Sequence, residues 1–166
     1  MRTLALCFLA AVALTPAACG PTGMSGPTMS GRLNPPPPSS SVVSAEILGR
    51  EPRANHTRVK HILIGWADLG DAYQGGLDPR AAARGKADAE KEIQNLEKQL
   101  AAGADFDTLM RAHSEDRGSA ATAEAYTVEP GAALVIEFRQ LGLRLEPGEV
   151  GVVESSFGFH LMKRVE

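Results

Sequence analysis

The sequence predicts an α+β domain in which one strand is followed by helical segments and two strands close the chain. Two largely apolar runs, Val59–Ile64 and Phe159–Val165, each carry one histidine and are typical of strands. Between them, four apolar residues recur at the spacing of one helix face: Ala89, Ile93, Leu96 and Leu100. The 166 residues are 43% hydrophobic and 22% charged, a composition that suits one folded domain.

Residues 1–19 have the pattern of a signal peptide. Arg2 and the apolar residues 4–14 are followed by small residues before Cys19. This end resembles the lipobox of bacterial lipoproteins, which implies lipidation at Cys19, although Pro16 stands where an aliphatic residue is usual. We therefore expect an exported protein that is lipid-anchored in the bacterial cell envelope, on the periplasmic side or in the outer membrane. Plain secretion is the alternative.

Residues 20–56 are rich in Pro, Gly and Ser and predict a mostly disordered linker, because they contain too little apolar surface for a core. Two apolar pairs within the linker, Val42-Val43 and Ile47-Leu48, are expected to dock on the domain as a short element. The folded domain is expected over residues 57–166. That range contains no cysteine, so no disulfide stabilises it.

The individual elements follow from local patterns. Val59, His61 and Leu63 share one face of the first strand. Residues 68–78 are polar and Gly-rich and predict a loop, after which Asp78 and Pro79 open a helix that Gly103 ends. A second, short helix begins after its cap at Asp105. We then expect the following sequence of elements: a loop at 114–121, a possible strand at 124–128, a helix at 134–141, a turn at 146–149, and strands at 150–154 and 159–165.

The formal net charge of −3 gives no support for nucleic-acid binding, which requires a strongly basic face. A peptide or protein partner fits this charge better. The two strand histidines together with Asp116 could ligate a metal ion, but no ligand pair has the short spacing typical of such sites. Each histidine could also be an ordinary core residue.

Six segments, in order, resemble the parvulin-type (PpiC-like) peptidyl-prolyl cis/trans isomerases. They are Val59–Leu63, Gly103–Phe106, Ser114–Asp116, Glu137-Phe138, Leu145–Glu149 and Phe157–His160. The resemblance implies a four-stranded antiparallel sheet covered by three to four short helices, with His61 and His160 on adjacent central strands. It also implies cis/trans isomerisation of X-Pro bonds in exported, unfolded or proline-containing polypeptides, with no metal or other cofactor.

The resemblance further implies the site residues. His61 and His160 are expected as facing imidazoles and Asp116 as the group beside the substrate amide, and these three form the catalytic set. The expected substrate-binding residues are Leu134, Phe138, Ser155 and Phe157.

The chain departs from the family pattern at several positions. Residues 122–126 stand where the family commonly has Gly-Gly-Asp-Leu-Gly, so this turn is expected to differ, since glycine permits positive φ and alanine resists it. Val135 replaces a residue that is often polar. The loop at 68–78 is acidic where phosphate-recognising members are basic, so no selectivity for phosphoserine-proline is expected.

Two alternative functions remain besides isomerisation. One is a chaperone-like polypeptide-binding module without useful catalysis, and the other is a purely structural lipoprotein domain. The oligomeric state does not follow from the sequence.

Overall fold

The computed structural model describes residues 40–166, which lie within one compact unit. The expected signal peptide, the expected lipidation site Cys19 and the first part of the expected linker lie outside the described residues. Among residues 40–166, none of the helices combines the length and the apolar character needed to cross a bilayer.

A four-stranded antiparallel sheet forms the centre of the domain, as the sequence predicts. Its strands are β1 (Thr57–Ile64), β2 (Tyr126–Val128), β3 (Val150–Ser155) and β4 (Gly158–Arg164), in the spatial order β2-β1-β4-β3. The two histidine-bearing strands are therefore the central neighbours. Leu63 pairs with His160 and His61 pairs with Met162, which places both imidazoles on the same face of the sheet.

The opposite face of the sheet carries the larger hydrophobic core. The helices α3 (Lys86–Ala101) and α4 (Phe106–His113) pack on this face. The buried residues that meet there include Ile62, Ile64, Ile93, Leu96, Met110, Phe159 and Leu161. Burying one such side chain contributes roughly 1.5 to 3 kcal/mol, so this layer holds the two central strands in place.

The histidine face packs against two further helices, α1 (Ala45–Leu48) and α6 (Ile136–Gly142). Its buried apolar residues include Ile47, Val59, Phe138, Leu141, Leu145, Val153 and Met162. Gly151 lies under Ile47, and a Cβ at that position would be 3.0 Å from Ile47 Cδ1. A small residue in β3 therefore leaves the space that α1 fills.

Residues 42–48 belong to the folded domain, which therefore begins upstream of the expected start at Thr57. Val42 and Ile47 are each 7% exposed. The Ser44 N–H donates to Val152 O at 2.9 Å, and the Ser44 Oγ accepts from Val152 N–H at 2.9 Å. The two apolar pairs dock as expected, and this docking brings the end of the expected linker onto the edge of β3.

The predicted single helix from Asp78 to Gly103 is interrupted. Asp78 caps α2 (Pro79–Ala82), and its side chain accepts from Arg80 N–H. The helix then stops, and Gly85 takes an extended conformation (φ −87°, ψ 168°) before α3 begins. Glycine loses more conformational entropy than other residues in a helix, which accounts for the break at this point. The predicted cap at Asp105 is confirmed, since its side chain accepts from Thr108 N–H.

The predicted loop at 114–121 is wrong, because part of it forms the helix α5 (Arg117–Thr122). Asp116 caps this helix and accepts a hydrogen bond from Gly118 N–H. Ala123 ends it with φ 55°, in the left-handed region. This conformation costs an alanine about 1 to 2 kcal/mol, so the segment reaches positive φ without the glycine that the family commonly has there.

Candidate active site

The two imidazoles on the central strands are in direct contact. His61 and His160 are each 5% exposed, their Nδ1 atoms are 3.2 Å apart, and their rings stack with centroids 5.3 Å apart. Only one of the two facing nitrogens can carry a proton in such a hydrogen bond. Burial, followed by the adjacent His61 ring, lowers the pKa of His160 to about 3, so this imidazole is neutral at physiological pH.

Asp116 accepts hydrogen bonds through both carboxylate oxygens. Its Oδ1 accepts from the Gly118 N–H at 3.1 Å. Its Oδ2 lies 3.0 Å from His61 Nε2, 2.5 Å from Ser119 Oγ and 2.9 Å from Tyr126 Oη. The hydrogen bond from His61 is the largest cause that holds the pKa of Asp116 well below its usual range, followed by those from Ser119 and Tyr126. Asp116 is therefore an ionised carboxylate, and the His61 Nε2–H points at it.

These contacts give one consistent set of protons across the site when His61 is neutral. With its proton on Nε2, His61 accepts at Nδ1 from the Nδ1–H of His160. His160 Nε2 is then an acceptor, and the hydroxyl of Ser155 donates to it at 2.7 Å. Ser155 Oγ in turn accepts from the Phe157 N–H at 3.0 Å. In this series of hydrogen bonds every donor points toward Asp116, so the negative end of the series lies at the Asp116 carboxylate.

The segment that carries Asp116 is fastened to the end of β1. The Leu63 N–H donates to Ser114 Oγ at 3.2 Å, and the Glu115 N–H donates to Leu63 O at 2.9 Å. The buried carboxylate of Glu115 accepts from Gly65 N–H at 2.7 Å and pairs with Arg84. These bonds hold Asp116 at a fixed position beside His61.

An apolar cleft of about 510 Å³ opens directly over the histidine pair. Six of the seven residues that the sequence singled out line it: His61, Asp116, Leu134, Phe138, Phe157 and His160. The ring of Phe138 meets both imidazoles edge-on, at centroid distances of 5.1 and 5.4 Å. Ser155 does not line the cleft but hydrogen-bonds to His160 from behind. The structure thus brings all seven predicted residues to one place.

Three further residues of the site did not emerge from the sequence. Ser119 and Tyr126 both donate to Asp116, and Tyr126 also packs edge-on against His61 with centroids 5.2 Å apart. Tyr73 lines the cleft, donates to the carbonyl oxygen of Phe157 at 2.6 Å and meets its ring edge-on. Tyr73 could have been singled out from the sequence, because it is an aromatic residue within a largely polar, Gly-rich loop.

No metal site is formed around these residues. Within residues 40–166, no cluster of three or more His, Cys, Asp or Glu side chains is placed to hold a metal ion. The nitrogens of the two histidines hydrogen-bond to each other and to Asp116 and Ser155, so they do not converge on a common point.

Fold and site together define an α+β domain with an apolar cleft over a buried, hydrogen-bonded histidine pair. The chain belongs to the PPIC-type PPIase domain family, whose model matches residues 45–166. It is 31% identical over 113 residues to a chaperone SurA of Nitrosospira multiformis, a match that covers 68% of this chain and 22% of that protein. It is 37% identical over 76 residues to a foldase protein PrsA 4 of Bacillus cereus, covering 45% of this chain and 27% of that protein. The chain thus spans about a fifth to a quarter of the length of these curated relatives.

Solved structures share the fold. The solution structure of TbPIN1 matches with a TM-score of 0.57 at 23% identity, over 68% of this chain and 99% of that one. The peptidyl-prolyl isomerase ESS1 from Candida albicans matches with a TM-score of 0.55 at 19% identity, over 68% of this chain and 63% of that one. At these identities the likeness concerns the fold, and it agrees with the predicted α+β class.

Proposed function

We propose that this domain catalyses cis/trans isomerisation of X-Pro bonds in exported polypeptides and does not require a phosphate on the substrate. The observation that carries the proposal is an apolar cleft whose floor is a buried, hydrogen-bonded imidazole pair tied to an ionised carboxylate. An apolar cleft can bind the proline ring. Fixed dipoles next to the cleft can stabilise the charge distribution that the amide adopts as it twists.

The reaction makes moderate demands on the site. The barrier to rotation about the peptide bond is about 18 to 20 kcal/mol, because the planar amide is stabilised by resonance. A thousandfold acceleration requires only about 4 kcal/mol of differential stabilisation. No covalent bond has to break, so the site needs no nucleophile.

The residues of the cleft can supply this difference. The walls formed by Leu134, Phe138 and Phe157 would hold the proline ring while the rest of the peptide turns. The planar amide carries more negative charge on its oxygen than the twisted amide does. A carboxylate at Asp116 near that oxygen therefore disfavours the planar form and lowers the barrier. His61, Ser119 and Tyr126 keep this carboxylate ionised and fixed in direction.

Protease-coupled assays on a panel of X-Pro tetrapeptides test the proposal. The wild-type protein is expected to accelerate isomerisation well above the uncatalysed rate. Asp116→Ala and His160→Ala are expected to lower kcat/KM by about tenfold or more, since removing a preorganised polar group typically costs 2 to 4 kcal/mol. Circular dichroism and the unfolding midpoint of each variant serve as controls for folding. A folded wild-type protein without any acceleration would overturn the catalytic proposal.

The second candidate function is a polypeptide-binding module with little catalysis. The altered segment at 122–126 favours it, because Ala123 holds a strained backbone at the end of the helix that Asp116 caps. This candidate predicts that binding of unfolded polypeptides survives His61→Ala and His160→Ala with little loss. Parallel measurement of peptide affinity and of isomerisation rate on the same variants separates the two functions.

The negative charge of the loop before α2 is the reason to propose that the substrate needs no phosphate. Asp68, Asp71 and Asp78 replace the basic residues expected of phosphate-recognising members, and Arg80 is engaged by Asp78 and by backbone carbonyls. Ser-Pro and phosphoserine-Pro peptides are therefore expected to differ by no more than a few-fold in kcat/KM. A preference of a hundredfold or more for the phosphorylated peptide would contradict this.

We also propose that the chain is exported and anchored by a lipid on Cys19, on the pattern of residues 1–19. The test is expression of residues 1–166 with membrane fractionation and labelling with a radioactive fatty acid. Wild type is expected in the membrane fraction with label, and Cys19→Ser without label. An unlabelled wild-type protein in the culture medium would instead support plain secretion.

A further inference from the structure

One cation lines the cleft among the residues that the structure describes, and it is Arg117. Arg117 is the first residue of α5 and follows Asp116 directly. Its side chain is exposed, and no ion pair or side-chain hydrogen bond within residues 40–166 engages it. Its guanidinium is therefore free to meet a charged group that enters the cleft.

The two acidic residues that precede Arg117 form no ion pair with it. The Glu115 side chain is 3% exposed, and its carboxylate is bound to Arg84 and to the Gly65 N–H. Asp116 is occupied by its three side-chain donors and by the Gly118 N–H. Both carboxylates thus have hydrogen-bond partners elsewhere in the protein, and neither of them forms an ion pair with Arg117.

Apart from the Asp116 carboxylate at the floor and the buried Glu115, the described part of the cleft lining offers no other charged side chain to a substrate. Its remaining lining is apolar or aromatic, including Ala133, Leu134, Val135 and Phe157. A polypeptide with its proline against these walls would therefore find one polar anchor beyond the floor, at Arg117. A single guanidinium matches one carboxylate through two parallel hydrogen bonds, whereas a phosphate site typically gathers several basic groups.

We propose that Arg117 determines specificity by selecting polypeptides with Glu or Asp adjacent to the isomerised proline. This inference rests on the proposed function and adds a substrate class to it. The contact would form at an exposed rim, where an ion pair contributes modestly and is weakened by salt. We therefore expect a preference of about two- to fivefold, which is the rate ratio that such exposed pairs correspond to.

The test measures kcat/KM on two matched peptide series, one with Glu, Gln or Lys before the proline and one with the same residues after it. Wild type is expected to prefer Glu over Gln in one series, with Lys the poorest, and to lose the preference in high salt. Arg117→Gln is expected to bring the Glu/Gln ratio to about one. Arg53→Gln is the matched control, because it removes the same charge from an exposed arginine outside the cleft.

Each outcome decides a different claim. Equal turnover of the Glu, Gln and Lys peptides by wild type overturns the role of Arg117 and leaves the isomerase proposal intact. A ratio that falls equally in Arg117→Gln and Arg53→Gln overturns it as well, because overall charge would then explain the preference. If no peptide is turned over, the proposed function fails. Affinities of the same peptides from NMR titration then decide whether Arg117 selects acidic ligands for a binding module.

Discussion

His160 couples the site to the pH dependence of stability. Its pKa is lowered to about 3 by burial, whereas an imidazole in the unfolded chain titrates near 6.5. Between these values the unfolded chain binds a proton that the folded protein excludes. The stabilising contribution of a neutral His160 is therefore complete above pH 6.5 and is lost progressively as the pH falls toward 3.

Urea unfolding at pH 7.5 and pH 5 checks this behaviour. At pH 5 the wild type is expected to lose about 2 kcal/mol through His160, from roughly 1.4 kcal/mol for each pH unit below 6.5. His160→Gln lacks this titration, so its loss between the two pH values should be smaller by about that amount. Burial raises the pKa of Glu115, which acts in the opposite direction but is present in both proteins. Equal losses in the two proteins would mean that His160 accepts a proton in the folded state.

The substitution Tyr126→Phe tests whether the segment 122–126 contributes to catalysis through its hydrogen bond to Asp116. Tyr126→Phe removes only the hydroxyl that donates to Asp116 and retains the ring against His61. A hydrogen bond to a charged group contributes about 1.5 to 3 kcal/mol, but Asp116 keeps its other donors, so we expect about 1 kcal/mol. In the isomerase assay kcat/KM should fall about fivefold, with a change in the NMR shift of the His61 ring nitrogens. Unchanged kcat/KM together with unchanged ring shifts would show that Tyr126 only fills space.

Resemblance of short segments to the parvulin-type family, in order along the chain, was sufficient to single out His61, His160 and Asp116, and the structure brings these three side chains together. It was insufficient for Ser119 and Tyr126. Their hydrogen bonds to Asp116 depend on a helix that polar residues 114–121 do not reveal and on the path of β2, which is only three residues long. Side-chain partners that come from three separate elements are not visible as spacing in the chain.

At the scale of elements, the sheet was predictable and the helix boundaries were less so. The largely buried apolar runs of β1 and β4 are a property of each strand's own sequence, and pairing of the two strands follows from the shared histidine pattern. The break at Gly85 and the helix α5 depend on weak local preferences of a few tenths to about 1 kcal/mol, which tertiary contacts decide. The same holds for α1, whose four residues are stable only against the sheet.

The docking of α1 can be tested by Ile47→Ala. Ile47 is 7% exposed and packs over Gly151, Leu141 and Leu145. Truncating a buried isoleucine to alanine typically costs 2 to 5 kcal/mol, and we expect about 2 to 3 kcal/mol because the helix lies at the surface of the domain. Glu46→Ala is the control on the same helix, since the Glu46 side chain is 92% exposed, and it should change stability by less than about 0.5 kcal/mol. A loss as small for Ile47→Ala as for Glu46→Ala would show that α1 is not part of the stable domain.

At the scale of the whole molecule, one cleft joins residues from almost every part of the domain. Tyr73 comes from the loop before α2, Asp116 and Arg117 from the start of α5, Phe138 from α6 and Phe157 from the hairpin between β3 and β4. Gly158 permits that hairpin, because its φ is 130° and a Cβ would lie 2.5 Å from Ile64 O. The cleft is thus assembled by the fold, and its shape could not be obtained from any segment alone.

Exchange NMR on a proline-containing tetrapeptide tests directly whether the domain catalyses cis/trans isomerisation, because it follows the cis and trans resonances without a coupled protease. With catalytic amounts of the purified protein, exchange cross-peaks between the two isomers are expected. Uncatalysed exchange takes tens to hundreds of seconds and gives none. The catalysed exchange rate should fall by about tenfold or more when Asp116→Ala replaces wild type. A folded wild-type protein that binds the peptide but produces no exchange would show that the cleft does not catalyse isomerisation and would leave a polypeptide-binding module.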